Sequence, residues 1–494
     1  MKEPLSAARL GDSERPTRVR YAVLAVLCSL AFLTYLDRIC IMQVQGDIIE
    51  DLRFGELTED DEARLRAEGK EDDLEARKEL SEKRATRRMG WVFSAFLWGY
   101  ALFEIPGGWL GDVWGPRLVI FRIVVWWSIF TFLTGSVATL AGVFSASPEP
   151  WLLLGTLVLV RFLFGLGEAG AYPNISRALG RWFPFHERGT AQGAIWMSSR
   201  LGGALAPVTI SFLVMLPGVL GGWQGAFHLL GAVGIIWAVG FVLWFRDRPE
   251  QKPSANAAEC AIIRPGAAQA GSIYDDAGHY GVPWRRLVFS PNLVAVYMTA
   301  FFVSFSWYFY VTFLARYLDL EFEFDYKDSR WLNGLPLLVG AAGCLVGGRI
   351  SDLLIRRTGS KRWGRSLLGV IGFALAGVLV LLVPLAPSPG WVFLFICLTT
   401  FVQDLAIPCI WSVTSDVGGR YAGTVGGFMN TVGAVGGALS SLATAEVSAG
   451  KYGWDSVFIM LAASYFAGSI LWLRIDASES IFSDRGRPTT IPRQ

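Results

Sequence analysis

Histidine is nearly missing from this chain: there are three, at positions 186, 228 and 279, in 494 residues. No HxxxH or CxxC spacing occurs, so the sequence offers no protein-built zinc site, and no cofactor is implied. Cysteine is scarce too. The six, at 28, 40, 260, 344, 397 and 409, form no disulfide framework, and five lie in apolar runs where a thiol behaves as a small hydrophobe. Charge is thin, at 17% of residues against 53% hydrophobic, which is too apolar for a soluble protein of this length. The net charge of +2 gives no footing for nucleic acid.

What the chain has is long apolar runs. A helix needs about 20 mostly apolar residues to cross a bilayer. Twelve runs qualify, at 21–45, 89–111, 118–141, 151–176, 190–215, 223–245, 291–315, 331–355, 366–388, 391–414, 421–446 and 453–474. The first is too long for a signal peptide's core and carries Asp37-Arg38 in place of a small-residue cleavage site, so it reads as a retained helix. The expected fold is therefore an all-α polytopic membrane protein of twelve transmembrane helices in two six-helix halves, with half boundaries at 21–245 and 291–475.

Lys and Arg are absent from the loops near 142–150, 216–222 and 389–390 and gather in those near 177–188, 246–290 and 356–365. The positive-inside rule puts the basic loops in the cytoplasm, together with the tails 1–20 and 476–494 and the linker 246–290. Both termini of this multi-pass protein of the inner or plasma membrane are then cytoplasmic. One segment departs from the pattern. Residues 47–88 fall outside by this count, yet hold ten Lys/Arg among fifteen Asp/Glu. The stretch from Glu59 to Arg88 reads as a charged, solvated helix or hairpin.

The two halves echo each other. Gly189-Thr190-x-x-Gly193 and Gly202-Gly203-Ala204-Leu205 return as Gly423-Thr424-x-x-Gly427 and Gly436-Gly437-Ala438-Leu439. Gly107-Gly108-x-x-x-Asp112 returns as Gly347-Gly348-x-x-x-Asp352. Small residues at these places let helices approach closely.

Three passages go further. One runs from Met89 through Tyr100 to Ile105-Pro-Gly-Gly-Trp-Leu-Gly-Asp112-Val-Trp-Gly115-Pro-Arg117. Another is Arg161-Phe-Leu-Phe-Gly-Leu-Gly-Glu168-Ala-Gly-Ala-Tyr-Pro173, with Arg181-Trp-Phe-Pro and Glu187-Arg188-Gly after it. The third spans Leu335-Pro336, Gly347-Gly-Arg-Ile-Ser-Asp352, Arg356-Arg-Thr-Gly and Arg362-Trp-Gly-Arg365. Together they resemble the anion:cation symporter family of the major facilitator superfamily, which includes hexuronate, galactonate and glucarate transporters and the sialin and vesicular glutamate carriers. The resemblance covers the chain apart from 47–88 and the tails. It implies a substrate site between two parallel repeats. Three departures stand out: Val113 where the loop motif usually has a basic residue, the charged insertion, and Arg200 where galactonate-type relatives have a neutral polar residue.

Ionisable residues within spans cost a few kcal/mol each on insertion scales and need a partner or a task. The candidates are Asp37, Arg38, Glu104, Arg161, Glu168, Arg200 and Asp404. Arg161 and Glu168 lie two turns apart on one helix face, so each must answer a different group. A guanidinium fork suits a carboxylate substrate, and a desolvated carboxylate suits a proton. The resemblance associates Arg38 and Arg161 with the anion and Asp37 and Glu168 with proton coupling. Tyr100 and Asn430 are candidate substrate contacts, with Ser412, Ser415, Tyr308 and Tyr310 as polar company. For Glu104 and Asp404 no motif assigns a task, and a helix-to-helix ion pair stands beside a functional role. Arg200 meets either the substrate, favouring diacids, or an acidic neighbour such as Glu104 or Glu168. Asp112, Arg117 and Asp352, at cytoplasmic helix ends, are expected to latch the halves.

The expected function is proton-coupled symport of a small organic anion, a sugar acid such as a hexuronate, aldonate or aldarate, by alternating access. An exchanger or uniporter without proton coupling, or a non-transporting anion sensor, are the alternatives. An enzyme is not, since no nucleophile–His pair falls within a span. The expected partners are the anion, protons and the lipid bilayer, for a monomeric chain.

Overall fold

The computed structural model describes residues 15–70, 72–218, 221–263, 282–322, 334–448 and 453–480, and these are helical with no strand among them. The first half comprises Val19–Gln43, Leu74–Trp114, Pro116–Gly135, the pair Pro150–Glu168 and Ala171–Trp182, Arg188–Val214 and Gly222–Trp244. The second comprises Pro291–Thr312, Leu335–Thr358, Lys361–Leu381, the pair Pro389–Asp404 and Ile407–Gly418, Ala422–Ser448 and Gly453–Trp472. These are the first to twelfth spans. Ten stretches among the described residues are long and apolar enough to cross a bilayer. One of them, Pro389–Ser448, holds two passes, and Leu74–Trp114 adds the remaining one, giving the expected twelve.

The second span is longer than its apolar run. Asp73 caps it by accepting from the Glu75 and Ala76 amides, and the helix-forming Glu, Ala, Lys and Arg residues that follow carry it without a break into the membrane segment. The short helix Glu59–Ala67 starts at a Thr58/Asp61 capping box and folds back on it. Arg77 grips Glu62 at 2.5 Å, Arg84 pairs with Asp61, and Ser81 donates to the Gly55 carbonyl. The charged insertion is thus a helical hairpin, closed on itself by ion pairs. Among the described residues of this stretch only Leu65 and Ala85 are buried, whereas Ile48, Leu52 and Phe54 before it dock on the bundle.

The fourth and tenth spans each break near mid-membrane. After Glu168 the chain turns at Ala169 and at Gly170, whose positive φ of 84° suits a residue without a side chain. After Asp404 it turns at Leu405 and Ala406, and Pro408 opens the next piece. The second piece of the fourth span carries Arg177 and Arg181 into the protein, where both are buried. These two belong to the packed bundle, not to a solvated loop.

The glycine echoes are contact points. Gly108 and Gly423 pack backbone to backbone, as do Gly189 and Gly348, so a methyl group at any of the four would strike a facing backbone atom. These contacts join the second span to the eleventh and the fifth to the eighth, one from each half. Gly202 and Gly436 lie instead against the first helix of their own half, at Phe32 and Phe301.

Candidate substrate site and the contacts between halves

The first span delivers Asp37 and Arg38 to opposite neighbours. Asp37 accepts from the Thr131 hydroxyl of the third span at 2.6 Å. Arg38 donates to Glu168 of the fourth span at 2.5 Å and lies over the Tyr100 ring at 4.7 Å. Arg38 keeps a quarter of its side chain accessible, while Glu168 is buried. Arg161 is buried over the rings of Phe164 and Phe96, and its Nε and Nη1 have no hydrogen-bond partner. Asp37 Oδ1 and Glu168 Oε2 are likewise unpartnered. Four charges from two helices therefore converge with unused donors and acceptors facing the interior. Buried polar atoms are nearly always paired, so this cluster of unpartnered ones is the candidate site.

Around this cluster runs an aromatic wall. Tyr172 stacks on Trp196 at 4.7 Å, and Trp196 meets Trp411 of the second half at 5.6 Å. Tyr35 closes the side, edge-on to Tyr172 and beneath Arg38.

Asn430 and Tyr100 meet across the halves. The Asn430 amide donates to the Tyr100 hydroxyl at 2.9 Å and to Glu104 at 2.7 Å. Glu104 also accepts from the Gly170 amide, exposed by the break in the fourth span. Arg200 departs from expectation in its partner. Neither Glu104 nor Glu168 reaches it. Its Nε and Nη2 make a forked pair with Asp404 of the second half, at 2.9 and 3.1 Å, and its plane lies 4.0 Å over Trp307. Sequence spacing could not reveal this, because the partner lies in the other half.

At the basic-loop end, each half holds the other by a carboxylate. Asp112 accepts from the Gly423 and Thr424 amides and the Thr424 hydroxyl, and pairs with Arg177 at 2.8 Å. Asp352 accepts from the Gly189 and Thr190 amides and pairs with Arg365 at 3.0 Å. Each acid sits at the opening turn of a helix, where amides lack intrahelical partners and the dipole favours negative charge. Arg188 reaches Asp416 across the same seam at 2.6 Å. Arg117 is a correction. It was expected in this latch, but it ties its own half together, its guanidinium on the Val242 carbonyl and its amide on Asp247. It opens the third span beside the end of the sixth, and its hydrogen bonds here stay within its own half.

A twelve-span bundle with paired repeats and a charged seam describes many carriers; the sequence pattern decides among them. The Major Facilitator Superfamily pattern matches residues 27–441. The chain belongs to the major facilitator superfamily. Among superfamily members, the probable sulfoacetate transporter SauU of Cupriavidus necator is 30% identical over 463 residues, covering 93% of this chain and 94% of the relative. The probable galactarate/D-glucarate transporter GudP of Bacillus subtilis is 30% identical over 411 residues, covering 80% and 82%. The D-galactonate transporter of Escherichia coli O6:H1 is 28% identical, covering 78% and 86%. The last two are carriers of the kind that the motifs resemble. The fold matches the proton:xylose symporter XylE, with a TM-score of 0.65 at 13% identity over 92% of this chain and 94% of that one. It also matches the human organic anion transporter MFSD10, at 0.61 and 16%, over 92% and 100%. As a superfamily member the chain is a multi-pass membrane transporter and not an enzyme. Beyond the expected residues, Ser176 meets Ser415 across the halves, and Asp416 joins Arg365 in the seam. Nothing in the sequence set Ser176 or Asp416 apart.

Proposed function

We propose that this chain carries a small organic anion, a sugar acid such as a hexuronate, aldonate or aldarate, in symport with protons. The observation that carries the proposal is Arg161, a buried guanidinium with two unpartnered nitrogens, beside the Arg38–Glu168 pair. A planar fork without a partner in a dry interior is a strong receptor for a carboxylate. Arg38 supplies the accessible cation that the anion meets first. Tyr100 and Asn430 then offer a hydroxyl and an amide to the sugar chain, and Arg200 lies within electrostatic reach of Tyr35.

Coupling follows from electrostatics. An anion drawn to Arg38 withdraws positive charge from Glu168, and Arg161 can turn from Asp37 in the same way. Each carboxylate deprived of its cation takes a proton more readily. The substrate and its protons then move together, and the neutralised cluster permits the halves to rock. Asp112 and Asp352 hold the basic-loop end closed meanwhile, and the positive-inside rule puts that end, with the basic loops and both tails, on the cytoplasmic side of a cell or plasma membrane.

Counterflow of labelled sugar acids in proteoliposomes tests the reading. Wild-type protein should exchange at least one of them, and Arg38→Ala and Arg161→Ala should each lower it by roughly a hundredfold, the loss of a charged hydrogen-bonding partner worth about 2–3 kcal/mol. Full exchange by either variant would refute the site.

A further inference from the structure

The two breaks in the fold have a chemical content. Glu168 is the last residue before the break in the fourth helix of the first half, and Asp404 is the last before the break in the fourth helix of the second half. Each points into the interior, each is fully buried, and each is bound to an arginine. The repeat thus places a carboxylate at the same corner of both halves. One of the two is already assigned to protons above; the other has no task.

The surroundings of Asp404 are made for a carboxylate that is held but replaceable. Its only ion pair among the described residues is the forked one to Arg200, which crosses from the first half. Gln403 donates to the same Oδ1 at 3.2 Å and is itself tied to Tyr465. Cys344 of the eighth span faces the pair, and Gly340 leaves room for it, since a methyl there would fall on the carboxylate. Arg200, by contrast, is fixed: the Trp307 ring lies under its plane. Tyr35 lies beneath Arg38 and within electrostatic reach of Arg200. The interior therefore presents two arginines that both feel one aromatic ring, Arg38 holding Glu168 and Arg200 holding Asp404. Four acids here (Asp37, Glu104, Glu168, Asp404) stand against three guanidiniums (Arg38, Arg161, Arg200), so an entering anion adds to an excess of acidic groups.

We propose that Asp404 is a proton-carrying carboxylate that stands in for one acidic group of a doubly charged substrate. The second anionic end of the substrate takes the Arg200 fork. Asp404 leaves it as the neutral acid, having gained one proton from water on the open side, and returns that proton when the substrate departs. No covalent bond is made or broken apart from the O–H. The substrate class is then a small organic dianion with an acidic group at each end, and such a substrate travels with one proton more than its singly charged counterpart. This rests on the transport reading above and narrows it.

Matched acids test it: galactarate against galactonate, and sulfoacetate against methanesulfonate. Proteoliposomes with an internal pH dye report protons per substrate. Wild type should take up one proton more for the diacid of a pair than for its monoacid. Asp404→Asn should remove that extra proton while counterflow of the diacid persists. The double variant Arg200→Gln with Asp404→Asn leaves no unpaired buried charge, and so guards against a simple folding defect. In it the ratio of diacid to monoacid transport should drop by about tenfold or more, one good charged contact. Equal protons for both acids in wild type, or an unchanged diacid preference in the double variant, overturns the proposal and assigns the pair to holding the halves together. Absence of Arg38-dependent uptake of any of the four acids overturns the transport reading itself.

Discussion

Arg161 shows what a single residue can disclose. A guanidinium in the membrane interior costs a few kcal/mol on insertion scales, and here two of its nitrogens go without a partner. Asp37, Arg38, Arg161 and Glu168 were all legible in the sequence, because a charge inside an apolar run is conspicuous and two of them share a helix face. The structure brings all four together. Their pairing was less legible: Arg38 takes Glu168, and Asp37 takes only the Thr131 hydroxyl. Arg200 was conspicuous for the same reason, but its partner Asp404 was not, since nothing in a linear sequence reports a contact between helices of different halves. Neutral isosteres separate binding from coupling. Glu168→Gln and Asp37→Asn should keep counterflow within roughly threefold of wild type, while accumulation driven by a pH gradient falls to simple equilibration, because the proton site is gone and the guanidiniums remain. The measurement is steady-state uptake with and without the gradient. Retained accumulation with normal pH dependence would move the proton elsewhere.

At the scale of elements, the charged hairpin and the broken helices behave differently. Residues 59–84 were recognisable as solvated from their charge density. That they continue the second span as one helix was not, because an apolar run ends where charge begins even when the backbone does not change. The hairpin's ion pairs are mostly internal to it, with Arg77–Glu62 and Arg84–Asp61 closing it, and exposed pairs of this kind contribute little to the rest of the fold. Joining Thr58 to Ala85 keeps Ile48, Leu52 and Phe54 on the bundle. That deletion should shift the melting temperature by less than about 3 °C, under 1 kcal/mol for a chain this large, and leave counterflow unchanged. A properly inserted deletion protein without counterflow would make the hairpin a working part. The breaks in the fourth and tenth spans escaped detection because each lies inside an unbroken apolar run, where neither Gly170 nor Pro408 stands out among many glycines and prolines.

The whole molecule is closed at its basic-loop end by two carboxylates. The division into two halves was readable from the glycine echo, and the structure gives those echoes a purpose: Gly108 meets Gly423 and Gly348 meets Gly189, which brings each acid onto a helix start. Asp112→Asn together with Asp352→Asn should weaken both holds. Hydrogen bonds to a charged group contribute about 1.5–3 kcal/mol, so the closed population should fall by tenfold or more. A cysteine placed at Ser415, buried where it meets Ser176 of the other half, reads this out. Its labelling by a water-soluble maleimide should be slow in the otherwise unaltered protein and at least about tenfold faster in the double variant. Equal rates would show that Arg188–Asp416 and its neighbours suffice to hold the seam.

The same pair of carboxylates says something about ancestry. Asp112 of the first half binds Gly423-Thr424 of the second, and Asp352 of the second binds Gly189-Thr190 of the first. Residue i meets j while j meets i, which is the rule for two identical subunits facing each other across a twofold axis. A contact of this kind is self-complementary: one six-helix unit already holds both the acid and the helix start that it needs from its twin. The covalent linker keeps the two copies at one-to-one, and the copies differ in their acids: Glu168 faces an arginine of its own half and Asp404 one from across the seam.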